Sequence, residues 1–296
     1  MILIFWGCSN PPNIESTEKP LSYEHEEAQS TPSLDIASME EEVNEAIAQM
    51  RDNHSREIVD SYYNVMDYAD EQCPTAYEDD GNAFWYGYCD SGQGLSFDGY
   101  LFFNTYDDYD LFSDGTLWDA EIINGSTTMY HDSFGKSHYS GNAYIAQGVN
   151  NEGADVFLSA VQGSFLVESS DDVQLQEGWS PWMTMYAFRQ DTGFGVSKVL
   201  ILNGSIPLSG IHVGALSFSN MAAFAAPGYP CPKEPTGTLS LRSSQGVWLD
   251  VAFDVTEDWQ LTGECDGCGM ATTEFGDAYE FCVDVAPLVL WEEVPW

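Results

Sequence analysis

The chain has 296 residues, 44% hydrophobic and 14% aromatic, enough to bury a sizeable core and to exclude wholesale disorder. Against 48 Asp and Glu stand only 8 Lys and Arg, a formal net charge of −40 at pH 7. A phosphate backbone or an anionic lipid surface needs clustered cations to neutralise it, so nucleic acid and electrostatic docking on a membrane are excluded as partners.

Met1 to Trp6 is a short apolar run closed by Gly7 and Cys8. Residues 9–37 follow, rich in Pro, Ser, Glu and Asn without apolar periodicity, and read as a flexible tether. The segment Phe5-Trp6-Gly7-Cys8 resembles the lipobox of bacterial lipoproteins, in which a small residue precedes the cysteine that receives the lipid. The resemblance implies a truncated signal over residues 1–8, lipid attachment at Cys8 and a membrane contact made through that lipid. It also implies residence in the cell envelope, at the outer membrane or the cell surface.

Residues 38–73 form a predicted helical region packed on a β domain. Ser38 with Glu41 three residues on makes a capping box, and Met39, Val43, Ala46, Ile47 and Met50 then recur at helical spacing. Ile58, Val59, Tyr62, Met66 and Ala69 continue the stripe beyond a weak break at Asn53-His54-Ser55, giving one long or two short amphipathic helices, and Pro74 ends it.

From Phe84 onward short alternating runs are separated by Gly, Asn, Asp and Ser, the mark of an all-β region. A motif of an apolar residue, a polar residue and glycine recurs at Phe97-Asp98-Gly99, Ile123-Asn124-Gly125, Tyr139-Ser140-Gly141, Val161-Gln162-Gly163 and Leu202-Asn203-Gly204. Glycine inside a strand marks a bend, so the pattern predicts a mainly β fold, a curved antiparallel meander forming a sandwich or a partly open barrel. Residues 84–230 make the main β domain, and residues 231–296 a disulfide-bearing module continuous with its sheet. The clearest hairpin is Thr238–Arg242 and Val247–Val251 around Ser243–Gly246. The module, with Cys231, Trp248–Asp254, Cys265-Asp266-Gly267-Cys268 and Phe281-Cys282, is similar to C-terminal β modules of uncharacterised envelope lipoproteins, a resemblance that implies no activity.

Seven cysteines are an odd number, but with Cys8 set aside six remain. Cys73 and Cys89 lie over 140 residues from the others and are expected to pair. Cys231, Cys265, Cys268 and Cys282 leave their connectivity open. Cys265 and Cys268 also have the spacing of half a zinc site, yet Cys231 and Cys282 supply no second such pair, so disulfides and an oxidising compartment are expected.

The sequence carries no Gly-x-Ser-x-Gly elbow, no His-Glu-x-x-His and no phosphate loop. Asp107, Asp108, Asp110 and Asp114, with Gly115 after them, form the densest acidic loop, a candidate calcium site of hard oxygen ligands and the sole cofactor considered. His131, Asp132 and His138 flank a predicted turn that could bring two imidazoles and a carboxylate together as a transition-metal site or a base with its orienter. Trp118, Trp179, Trp182 and Tyr186 could form an aromatic platform for sugar rings, although such residues more often fill a β core. The charge balance resembles that of secreted proteins from salty habitats. The expected function is a noncatalytic, lipid-anchored envelope protein with a β-rich domain for an unknown ligand or envelope partner. Carbohydrate binding or processing, and carriage of an apolar ligand, are the alternatives.

Overall fold

The computed structural model describes residues 33–50, 54–79, 82–110, 115–167, 182–191, 193–208, 210–229, 231–232, 234–256 and 259–289. Cys8, residues 9–32 of the expected tether, Asp114 and Trp179 lie outside them, as does the side chain of Trp182. Two helices, α1 (Ile36–Gln49) and α2 (His54–Met66), precede the strands. The first six strands are β1 (Thr75–Asp79), β2 (Asn82–Asp90), β3 (Ser96–Tyr109), β4 (Leu117–His131), β5 (Gly135–Val149) and β6 (Asp155–Val167). There follow β7 (Trp182–Asp191), β8 (Val196–Pro207), β9 (Val213–Ala225), β10 (Thr236–Ser243), β11 (Trp248–Phe253), β12 (Cys268–Thr273), β13 (Ala278–Cys282) and the short helix α3 (Ala286–Val289).

Each strand pairs with its chain neighbours in the order β1 to β13, antiparallel throughout. The predicted meander is therefore one open sheet of 13 strands, not two stacked sheets and not a closed barrel. The strands of the C-terminal module continue the same sheet.

Both long helices cover the same face of that sheet. The stripe Ile58, Val59, Tyr62 and Val65 of α2 packs on Trp85, Phe97, Leu101, Phe103, Ile123 and Tyr139. Met39, Val43, Ile47 and Met50 of α1 pack on Leu200, Leu216, Leu239, Leu249 and Phe281. Burying each such side chain is worth about 1.5–3 kcal/mol, which is what holds marginal helices of 14 and 13 residues in place. Tyr62 stacks on Phe103 with ring centroids 4.2 Å apart and accepts the Trp85 Nε1–H at 3.0 Å. Burial pushes its hydroxyl pKa up to about 12.

Helix α1 begins at Ile36, two residues before the Ser38 of the predicted capping box. Asp35 is the cap: its carboxylate accepts the Ser38 N–H at 3.2 Å and the Ser38 hydroxyl at 2.9 Å, so Ser38 is a partner of the cap rather than the cap itself. The helical region is two helices rather than one, α1 ending at Gln49 and α2 beginning at His54; Asn53 of the expected break lies outside the described residues.

The polar face of α1 is spent on the backbone of the sheet. Glu40 accepts the Cys282 N–H at 2.7 Å, Asn44 accepts the Asp284 N–H at 2.7 Å and donates to the Cys282 carbonyl at 3.2 Å. Glu42 accepts from Ile211, His212 and Val213 at 2.9, 3.0 and 2.8 Å. The first group holds the end of β13, at one edge of the sheet, and the residues just after it.

The repeated glycines fall into register. Gly87 pairs with Gly99, Gly125 with Gly141, and Gly141 with Gly163. Gly141 and Gly163 have φ of 149° and 117°, and a Cβ at either would run into a carbonyl oxygen of the neighbouring strand, Gln162 and Ser140 respectively. Gly87 and Gly99 share the rung of Thr127, two residues from the rung of Gly125, Gly141 and Gly163, so the motif marks two neighbouring rungs at which strand backbones approach closely.

Three disulfides close the molecule: Cys73–Cys89 as expected, then Cys231–Cys265 and Cys268–Cys282. Cys265 and Cys268 belong to different bridges and hold no zinc pair. Three disulfides mark a chain that folds in an oxidising, extracytoplasmic setting.

Candidate functional site

The period of two along each strand decides what the sheet shows on the side away from the helices. In β2, Trp85 points inward and is 8% exposed, so Phe84 and Tyr86 point outward. Following the register, Tyr77, Phe84, Phe102, Asn124, Asn142 and Gln162 are successive direct partners on β1 to β6. Two residues along, Thr75, Tyr86, Tyr100, Ser126 and Ser140 form a second row on β1 to β5.

Tyr77 is 66% exposed, Tyr86 46%, Tyr100 45% and Phe102 40%. Phe84 stacks on Phe102 with centroids 4.3 Å apart and lies 5.3 Å from Tyr86. Beside the rings the rows turn polar: the Asn124 Nδ2–H donates to Asn142 Oδ1, and Ser126 and Ser140 are exposed. The neighbouring row, Asn82, Asn104, Ile122, Tyr144, Ala160, Thr184 and Asn203, extends the surface to β8.

None of these positions is charged, in a chain of which 19% is charged and which carries −40. The charges nearest the two exposed rows on this face are Asp79 of β1, paired with Asn82, and Asp98, paired with Tyr88 and Thr128. The two exposed rows hold rings, carboxamides and hydroxyls, with no carboxylate, imidazole or thiol. That set can bind by stacking and hydrogen bonding.

The residues singled out in the sequence fall elsewhere. Trp118 is 1% exposed and packs with Ala120, Ala146 and Val156, with Tyr186 against that cluster, so Trp118 is packing and not a platform. Asp107 and Asp108 close β3, where the register shifts between Tyr106 and Tyr109, and Asp108 has φ of 52°. The Asp108 N–H donates to Asp119 at 3.0 Å and the Gly115 N–H to Asp110 at 3.2 Å, so the nearby carboxylates hold backbone. Asp107, Asp108 and Asp110 do not converge. Among the described residues three metal-type ligands gather only at Cys268, Glu280 and Cys282, and both thiols there are bonded to each other.

The histidine trio does not form either. His131 pairs with Gly135 and His138 with Thr128, which sets them three pairs apart and on opposite faces. His131 faces the helices, 6% exposed, its ring stacked on Tyr68 at 3.8 Å. Its Nδ1 accepts the Ser133 N–H at 3.2 Å, leaving Nε2 to donate to the Gln93 carbonyl at 3.3 Å. His138 Nδ1 meets the Thr128 hydroxyl at 2.9 Å, and Asp132 accepts from Tyr130 at 2.8 Å.

Sequence reasoning missed Glu234. It is fully buried, and its carboxylate accepts the N–H groups of Asp254 at 3.1 Å and Gly267 at 2.8 Å, tying together the loops around the Cys231–Cys265 bridge. Burial raises its pKa above the ordinary 4.5 in spite of those two bonds.

Comparison with protein-family models, with curated protein sequences and with solved structures finds no match to this chain. Among the described residues no helix is long and apolar enough to cross a membrane.

Proposed function

We propose that the chain is a noncatalytic, lipid-anchored protein of the cell envelope that binds its ligand on the outer face of β1 to β6. The observation that carries this reading is the uncharged, ring- and amide-bearing surface on a molecule otherwise dominated by acids. The three disulfides and the lipobox-like Phe5-Trp6-Gly7-Cys8 support an extracytoplasmic site of action. The opposite face, where a carrier would hold apolar cargo, is filled by the stripes of α1 and α2.

The test separates anchoring from binding. Protein carrying Cys8→Ser, which has no lipidation site, is mixed with envelope fragments of its native host and sedimented. It is expected to sediment with them, and Ser126→Glu, which puts a charge in the middle of the face, is expected to weaken this at least tenfold. Equal sedimentation of both proteins, or none of either, rejects the reading. Mass spectrometry of the native protein is expected to find an acylated Cys8 at its N-terminus.

A further inference from the structure

We infer that the ligand of this face is a neutral polysaccharide laid across β1 to β6, an inference that rests on the binding role proposed above. The argument starts from charge. A cationic partner would be drawn to the acids that crowd the rest of the surface, and an anionic one finds no Lys or Arg in either row. A stretch without charge is matched by a ligand without charge.

The chemistry of the rows narrows the class further. Tyr86, Tyr100 and Phe102 expose aromatic rings, which take up apolar C–H surface, while Asn124, Asn142 and Gln162 stand in line beside them as donors and acceptors. The bond between Asn124 and Asn142 uses only part of that capacity. Sugars combine C–H faces and hydroxyl edges in one molecule and satisfy both halves of the surface. A hydrocarbon surface satisfies one half and strips water from the carboxamides without replacing it. A second copy of the chain brings another −40 against the first. The row from Tyr77 to Gln162 crosses six strands, about 24 Å at roughly 4.8 Å per inter-strand gap, so the geometry points to several consecutive sugar units rather than one.

The experiment uses the disulfide-bonded Cys8→Ser chain in affinity electrophoresis through gels containing neutral glucan, mannan or galactan. Alginate, polygalacturonate and phospholipid vesicles are the comparison arms. Retardation by at least one neutral polysaccharide, reduced tenfold or more by Phe102→Ala and by Asn142→Ala but not by Phe194→Ala in an exposed turn, is the expected result. Circular dichroism and thermal unfolding establish that each variant is folded. Should Phe102→Ala fail to fold, hydrogen exchange on the unaltered protein replaces it, with slowing expected in β2 to β5 when the polysaccharide is present. No retardation by any neutral polysaccharide, or binding to the acidic ones or to vesicles alone, overturns the inference. So does sedimentation velocity showing a dimer that Phe102→Glu dissociates. If envelope sedimentation persists while every neutral polysaccharide fails, the binding role stands and the ligand class falls.

Discussion

The hydroxyl of Tyr139, at the centre of β5, donates to the carbonyl oxygen of Ile58 on α2 at 3.1 Å, and Ser61, one turn along the helix, reaches both groups with its own hydroxyl. Helix and sheet are thus joined by a polar contact in the middle of an apolar core, and burial raises the Tyr139 pKa well above its ordinary value. Tyr139→Phe keeps the ring and leaves Ser61 on the Ile58 carbonyl, so a loss of about 1 kcal/mol is expected. Tyr139→Ala also opens a cavity and should cost about 3–5 kcal/mol. Thermal unfolding of both variants checks the ranking; equal losses would show that the ring contributes nothing.

Gly153, in the turn between β5 and β6, and Gly141, within β5, make a contrasting pair of substitutions. Gly153 has φ of 77° with open space around it, so Gly153→Ala meets only the left-handed backbone penalty, about 1 kcal/mol. Gly141→Ala sets a methyl group against the Gln162 carbonyl and should lose about 3 kcal/mol or more. Denaturant titration distinguishes them, and similar midpoints would mean that the strands do not approach each other there.

Glu234 gives the acid limb of stability a definite sign. Its pKa is higher folded than unfolded, chiefly through burial, so the folded state binds its proton more tightly. The stability it contributes is full below the unfolded pKa and is lost as pH rises through the folded one. The melting temperature of the unaltered protein minus that of Glu234→Gln should therefore fall as pH is raised from the acid side of 4.5 toward neutrality, in molar salt to screen the other acids. A difference that grows with pH would contradict the assignment.

Salt is expected to stabilise the fold. The −40 charge repels itself more strongly in the compact state than in the expanded chain, and screening shortens from about 10 Å at 0.1 M to about 3 Å at 1 M. The melting temperature should climb between 0.05 M and 2 M chloride. A flat curve would refute the link between the acid excess and a saline setting.

Much of the architecture could be read from residue spacing. The i, i+4 stripe of Met39, Val43 and Ile47 and the polar-Gly motifs each encode a local geometry that survives into the fold. Facing was harder to read. In Phe84-Trp85-Tyr86 three aromatic residues follow one another, so the inward Trp85 and its outward neighbours look alike until the register separates them. The distance of His131 from His138 depends on which residues form the turn, and the hairpin closing at Gly135 sends the two rings to opposite faces. Glu234 could not be found because one acid among 48 carries no sign of burial, and its two N–H partners arrive from 20 and 33 residues away.

The contacts between Glu40 and Cys282 and between Asn44 and Asp284 span 242 and 240 residues. Helix α1 is made well before the strand it clasps, with twelve other strands between them. Hairpins of the meander can form as each new strand arrives, since every pairing partner is already beside it in the chain. The helix has no such neighbour and must wait for the whole sheet. The helix is thereby the element that closes the structure, so a chain cut short before β13 would expose the apolar stripe of α1 and carry its own signal of incompleteness.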